Sequence, residues 1–246
     1  MIRVAAASVL VLAACALSRR ARLSVERELL ISSVRAIAQL GAIALVLRAV
    51  FDHLGLSGLF IAVMLTAAAR TAGRRLRGVP RANRLAGVVI GGAAVVTLGP
   101  MLLVGAFPAT PRYVIPLAGI VIGGAMKAAS LAGTRLCEEL SDRHREVEAR
   151  LALGDSARQA LHPCLRRAVS TALVPAVDQT KNVGLVTLPG AFVGMLLGGA
   201  SPLEAALVQL TILLVLLAAE AVAATLTTVL VVRTVILPGE RVLAPS

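Results

Sequence analysis

The feature that most constrains this chain is a series of uncharged, apolar runs at 4–18, 53–69, 85–111, 113–126, 182–203, 205–219 and 221–232, set between segments that hold most of the basic residues. Several come close to the ~20 residues that a helix needs to cross a bilayer. Hydrocarbon offers no partner for a backbone N–H or C=O, so a spanning segment must pair its own, and a helix does this internally. With 58% hydrophobic residues and a mean hydropathy of +0.87, the chain is predicted to be an all-α, polytopic membrane protein. Aromatic belts at the membrane surfaces are thin, because Phe, Trp and Tyr together make up only 2%.

The charge of +12 is not spread as on a nucleic-acid-binding surface. Arg19, Arg20, Arg22 and Arg27 follow the first run, and Arg70, Arg74, Arg75, Arg77, Arg81 and Arg84 follow the third helix. Arg135, Arg143, Arg145, Arg150, Arg158, Arg166 and Arg167 lie in a long polar stretch. The loops between these clusters are nearly free of basic residues, an alternation that follows the positive-inside rule. Helices are predicted near 3–18, 29–50, 55–72, 85–107, 113–133, 182–200 and 204–232. The N-terminus is then outside and the C-terminus cytosolic, in about seven spans of a multi-pass protein of the plasma (cytoplasmic) membrane. The chain reads as one transmembrane domain over 1–246, with a cytosolic segment at about 134–181. Anionic lipid is the expected partner of the excess charge, and nucleic acid is not. Met1-Ile-Arg3 with the apolar run to Leu17, and Leu12-Ala-Ala-Cys15, also resemble a processed leader. Cleavage there would leave the Arg19–Arg27 cluster outside, against the bias of every later loop.

Catalysis finds no support in the residues. Cys15, Cys137 and Cys164 have no paired spacing, His53, His144 and His162 are scattered, and no phosphate-binding GxxxxGK[ST] loop occurs. The chain is therefore expected to be no enzyme and to bind no cofactor itself. Its sharpest motif is Pro189-Gly190, which breaks an apolar run just after Asp178 and Lys181. Such a break at membrane depth needs protein or water around it. Glu148 and Ala149, with Gly154 following, have the spacing of the short cytosolic helix through which ABC importer permeases dock on their ATPase. An ordinary surface helix accounts for the same residues.

A few polar and small residues inside apolar stretches are candidates for function. Arg35 and Gln39 share a helix face, to line a pathway or to let Arg35 reach the headgroups. Glu220 stands in an apolar helix, where a carboxylate is costly and marks function by default, and Lys127 is its candidate counterion. Asp178 and Lys181 can pair across one helical turn at a junction. Gly190, Gly194 and Gly198 form a doubled GxxxG suited to close helix packing, with Gly119 and Gly123 as a facing groove.

The runs Glu148–Gly154 and Pro175–Gly190, with Arg35-Ala-Ile-Ala-Gln39, Ile115-Pro-Leu-Ala-Gly119 and Gly198–Gln209, resemble the bacterial iron-export ABC permease family and its plant relatives linked to aluminium tolerance. The resemblance extends over nearly the whole chain. It implies a permease domain that pairs with a separate ABC ATPase, where ATP is bound and hydrolysed. It also implies a homodimer of the permease, and iron or a related metal as exported cargo. The chain departs from that pattern at Ala191-Phe192, where the family carries Met-Met, at Gly124, where a small polar residue is usual, and at Leu196, where Gln is usual. A channel or secondary carrier that needs no ATPase, and a membrane scaffold that moves nothing, stay open as rival classes.

Overall fold

The computed structural model describes residues 2–76, 78–237 and 241–242. Arg77 of the basic cluster and the C-terminal residues 243–246 lie outside the described residues, as do the side chains of Arg3 and Arg48. The described chain is all-α apart from one two-residue antiparallel pair, β1 (Ile236–Leu237) with β2 (Arg241–Val242). It divides into two compact units, 1–56 and 57–246.

The first unit is a helical hairpin of α1 (Ile2–Arg20) and α2 (Glu26–Asp52). The turn between them takes Arg22 and Ser24 into the left-handed region, at φ 53° and 56°. Cys15 is buried in the hairpin, its thiol 3.8 Å from the carbonyl oxygen of Glu26.

The second unit holds α3 (Leu54–Gly73), α4 (Ala82–Leu103), α5 (Pro111–Asp142), α6 (His144–Ala152), α7 (Ala157–Asn182), α8 (Gly190–Leu197) and α9 (Pro202–Val235). Small residues set its packing. Ala86, Ala93, Ala125, Ala129, Ala132 and Ala219 are all fully buried, which lets backbones approach in the absence of a hydrophobic drive between lipid-solvated helices. Gly124 of α5 is closed over by Leu216 and Glu220 of α9, and Gly133 by Leu76 and Thr227. α5 and α9 meet closely at these two glycines, as α3 and α4 do where Gly73 is closed over by Asn83.

The same contacts fix directions. Gly124 meets α9 near 216–220 and Gly133 meets it at 227, so α5 and α9 run parallel. Gly119 meets Met64 and Gly133 meets Leu76, so α3 runs parallel to α5. Gly91 meets Leu65 and Gly87 meets Ala69, so α4 is antiparallel to α3. The start of α7 lies with the end of α9 and its later half with the middle of α5 and α9, so α7 is antiparallel to both. One end of this bundle therefore gathers Arg74, Arg81, Arg84, Arg143, Arg158 and Arg233, while the other holds the sparsely charged loops at 104–110 and 183–201.

Among the described residues five helices are long and apolar enough to cross a membrane: α2, α3 from Gly55, α4, α5 and α9. One expectation needs correction. The predicted span at 182–200 is not a helix of crossing length: α7 ends at Asn182, residues 183–189 form a turn, and α8 has 8 residues, about 12 Å. The stretch 134–181, expected as a cytosolic segment, is mostly helical. Its first part continues α5, and its second part is α7, 26 residues and about 39 Å long, packed against α5 and α9. Hydropathy misplaced α7 because only one side of it is apolar. Ala160, Cys164, Ala168, Ala172 and Ala176 recur every fourth residue and are buried, while Arg158, His162, Arg166, Ser170, Val174 and Asp178 form an exposed row.

Candidate functional site

At the basic end of the bundle, the chain leaves α5, makes the nine-residue helix α6, and turns back into α7. The turn needs Gly154, whose φ of +99° is strained for any residue with a Cβ. Ser156 then caps α7 in a reciprocal capping box with Gln159. Arg143 bridges Glu139 of α5 and Glu146 of α6, each at 2.9 Å, and Arg150 of α6 reaches Glu146 at 3.4 Å. The Arg143 guanidinium is held more firmly protonated by its hydrogen bond to Glu146 and by Glu139. Arg167 of α7 lies 4.0 Å from Glu139, so one carboxylate ties α5 to both helices that follow. Val147 is buried beneath α6, and Glu148 lies on its exposed side 3.1 Å from His144 Nε2. Ala149 is exposed beside it, and Leu153 at the turn is 88% exposed. Beside this corner a groove of about 520 Å³ runs between α7 and α9, lined by Arg158, His162 and Arg233 among others. The stretch 148–154 thus covers the second half of α6 and the turn at Gly154 that follows it.

Halfway along the bundle, Lys127 of α5, Gln179 of α7 and Glu220 of α9 line one cavity of about 70 Å³. Glu220 is 5% exposed, whereas Lys127 and Gln179 open toward the outside of the unit. Among the described residues the Glu220 carboxylate makes no hydrogen bond, and no ion pair at 4.0 Å or less joins it to Lys127. The two candidates therefore share a cavity without the direct pairing that the sequence suggests. Space for the carboxylate comes from Gly124, since a Cβ there would stand 2.9 Å from Glu220 Oε1. Pro175 lines the same cavity, and its missing N–H leaves the Thr171 carbonyl without a helical partner.

Other candidates are spread more widely. Arg35 and Gln39 lie exposed on α2 of the first unit. Asp178 and Lys181 occupy the last turn of α7, without an ion pair between them, at the end of the bundle remote from the arginine clusters. Pro189 caps α8 and Gly190 begins it. Added Cβ atoms at Gly190 and Gly194 would meet nothing within 4 Å, and one at Gly198 only its own turn, so no described helix of the second unit packs closely on them. Gly119 faces Met64, and Gly123 is open. Sequence reasoning passed over Gln179 and Thr171, because α7 was not read as part of the bundle. It also missed Gln209 of α9, whose buried Oε1 has no hydrogen bond in an apolar groove of about 250 Å³ with Phe192 and Pro189. The four-residue recurrence of small residues in α7 was the signal that would have shown it as a packed helix. No group of three or more His, Cys, Asp or Glu that could hold a metal forms among the described residues.

The helical membrane architecture agrees with a family-wide match, in which residues 1–236 fit the model described as "Uncharacterised protein family (UPF0014)". The chain belongs to the UPF0014 family. Among its UPF0014 relatives, the rice (Oryza sativa subsp. japonica) "UPF0014 membrane protein STAR2" is 40% identical over 94% of this chain and 81% of its own length. "Protein ALUMINUM SENSITIVE 3" of Arabidopsis thaliana is 38% identical over 94% of this chain and 85% of its own. The "Probable iron export permease protein FetB" of Escherichia coli (strain K12) is 33% identical over 87% of this chain and 83% of its own. No solved structure matches this UPF0014 chain.

Proposed function

We propose that the chain is the membrane-spanning permease subunit of an ABC exporter that carries iron or a related metal cation outward, and that it is not itself an enzyme. ATP is bound and hydrolysed on a separate ATPase subunit, and two permease copies form the complete transporter in the plasma membrane. The observation that carries this reading is the α6 corner: a short helix at the basic end of the bundle, ended by Gly154 at φ +99°, with Leu153 left exposed. A partner that closes on this corner pushes α5 and α7 together, because Glu139, Arg143 and Arg167 link them. The cargo is supported by the 33% identity to the protein named as a probable iron export permease. The metal is cargo here and not a resident cofactor.

Purification from membranes tests the reading. The intact chain is expected to bring down an ATPase, and a Glu148→Ala, Gly154→Trp double variant is expected to lose it while still inserting normally. Leu153→Ala, which leaves the strained turn untouched, should weaken the same association. Intact chain that never co-purifies with an ATPase, yet transports, would place a self-sufficient carrier ahead.

A further inference from the structure

Apart from Arg167, which lies 4.0 Å from Glu139, the polar side of α7 makes no ion pair among the described residues, and its place is inconsistent with contact to lipid. Two adjacent rows of every-fourth residues are exposed, one through Arg166, Ser170, Val174 and Asp178, the other through Arg167, Thr171, Pro175 and Gln179. A helix packed along two apolar spans reaches membrane depth, where exposed polar side chains face water or protein and not hydrocarbon. Where these rows pass the middle of the bundle, they open onto the cavity that holds Glu220.

We propose that the α7 polar face is a wall of the translocation pathway and that Glu220 is its cation-binding residue, with Lys127 as a resident counter-charge that the arriving cation displaces. This rests on the transport reading above and names the place where cargo is held. The oxygen donors that line the cavity are the Glu220 carboxylate and the Gln179 amide oxygen. Oxygen sets of this kind suit hard divalent cations that keep part of their water. A cavity of about 70 Å³ has room for that water. A single carboxylate holds a cation loosely, as release requires. When the site is empty, the ammonium of Lys127 in the same cavity offsets the charge of a carboxylate that is otherwise without a partner. Lys127 can withdraw because its long side chain already reaches the exposed α7 side.

This arrangement differs in a measurable way from an ordinary structural ion pair. In a structural pair each single neutral variant leaves one unbalanced charge, and the double variant restores what the singles lose. In a displaceable pair the carboxylate carries the binding and the ammonium competes with it. The test is equilibrium binding of Mn2+, and of Fe2+ without oxygen, to the purified chain in lipid nanodiscs. Glu220→Gln is expected to weaken binding by more than about tenfold, Lys127→Met to tighten it several-fold, and the double variant to bind as weakly as Glu220→Gln. Loss of binding in Lys127→Met with recovery in the double variant overturns the proposal, and so does an intact chain that binds neither cation. ATP-driven export from inside-out vesicles separates the two claims. Full export by Glu220→Gln sinks the site and leaves the transport reading standing. Intact binding without any ATP-driven export does the reverse.

Discussion

Residues 157–182 and 182–200 invert what their compositions suggest. The first stretch carries Arg158, Arg166, Arg167, Asp178 and Lys181, and it forms α7, packed along α5 and α9. The second is uncharged after Lys181, and it forms a turn and the two-turn α8, with Leu185 90% exposed and no buried residue in the helix. Mean hydropathy reports how well a segment suits lipid on all sides. It does not report whether one side of a helix fits against other helices, and a row of alanines does that without raising hydropathy much. Apolar side chains without such a row, interrupted by Gly184 and Pro189, lack the length to run along the bundle, and α8 meets it chiefly at α9.

Four tests press on that contrast. Ala168→Trp puts a large ring where α7 is fully buried, and it should prevent folding or cost more than about 3 kcal/mol, read as loss of the thermal transition in detergent. The matching Val193→Trp in α8 should leave the transition within a degree or two, and equal damage from both would erase the distinction. Gly124→Val should cost about 1–3 kcal/mol by forcing Leu216 and Glu220 aside, whereas Gly194→Val, where an added Cβ meets nothing, should cost little in the isolated chain. Ser156→Ala, which removes the capping box of α7, should lower stability by about 1 kcal/mol in the same assay. The smallest effect on stability, and the sharpest on placement, comes from single cysteines in a background free of Cys15, Cys137 and Cys164. Ser170→Cys and Val174→Cys should react with a water-soluble thiol reagent in intact membranes, and Val95→Cys on the exposed face of α4 should not. Equal labelling of both faces would place α7 elsewhere.

Much of the second unit was legible from runs of Ala, Val and Leu, because lipid-facing helices must be apolar throughout. α3, α4, α5 and α9 appear within a few residues of their expected bounds, α5 and α9 reaching further at their C-terminal ends. The short helix before Gly154 was legible too, since Gly after an amphipathic stretch is a stop signal. Glu220 and Lys127 stood out because ionisable groups are rare in such helices, and the structure brings them to one cavity. Their setting was not legible. It depends on Gly124, Pro175 and Gln179, which acquire meaning only once α7 lies between α5 and α9. The pairing of Gly190, Gly194 and Gly198 with Gly119 and Gly123 failed to form within the chain because a small-residue spacing states that a helix can approach, and not that one does.

The buried row of α7 carries one more consequence. Ala160, Cys164, Ala168, Ala172 and Ala176 give that side of the helix a surface that nearly repeats itself every turn. Moved along its axis by four residues, about 6 Å with a small rotation, α7 would set one small residue into the place the next has left, and of its fully buried side chains only Leu161 is a large knob that would have to climb out of its hole. Leucines at those positions would lock the register by their bulk. The packing that seats α7 in the bundle is in this sense also a smooth rail, and the corner at α6 is fastened to one end of it.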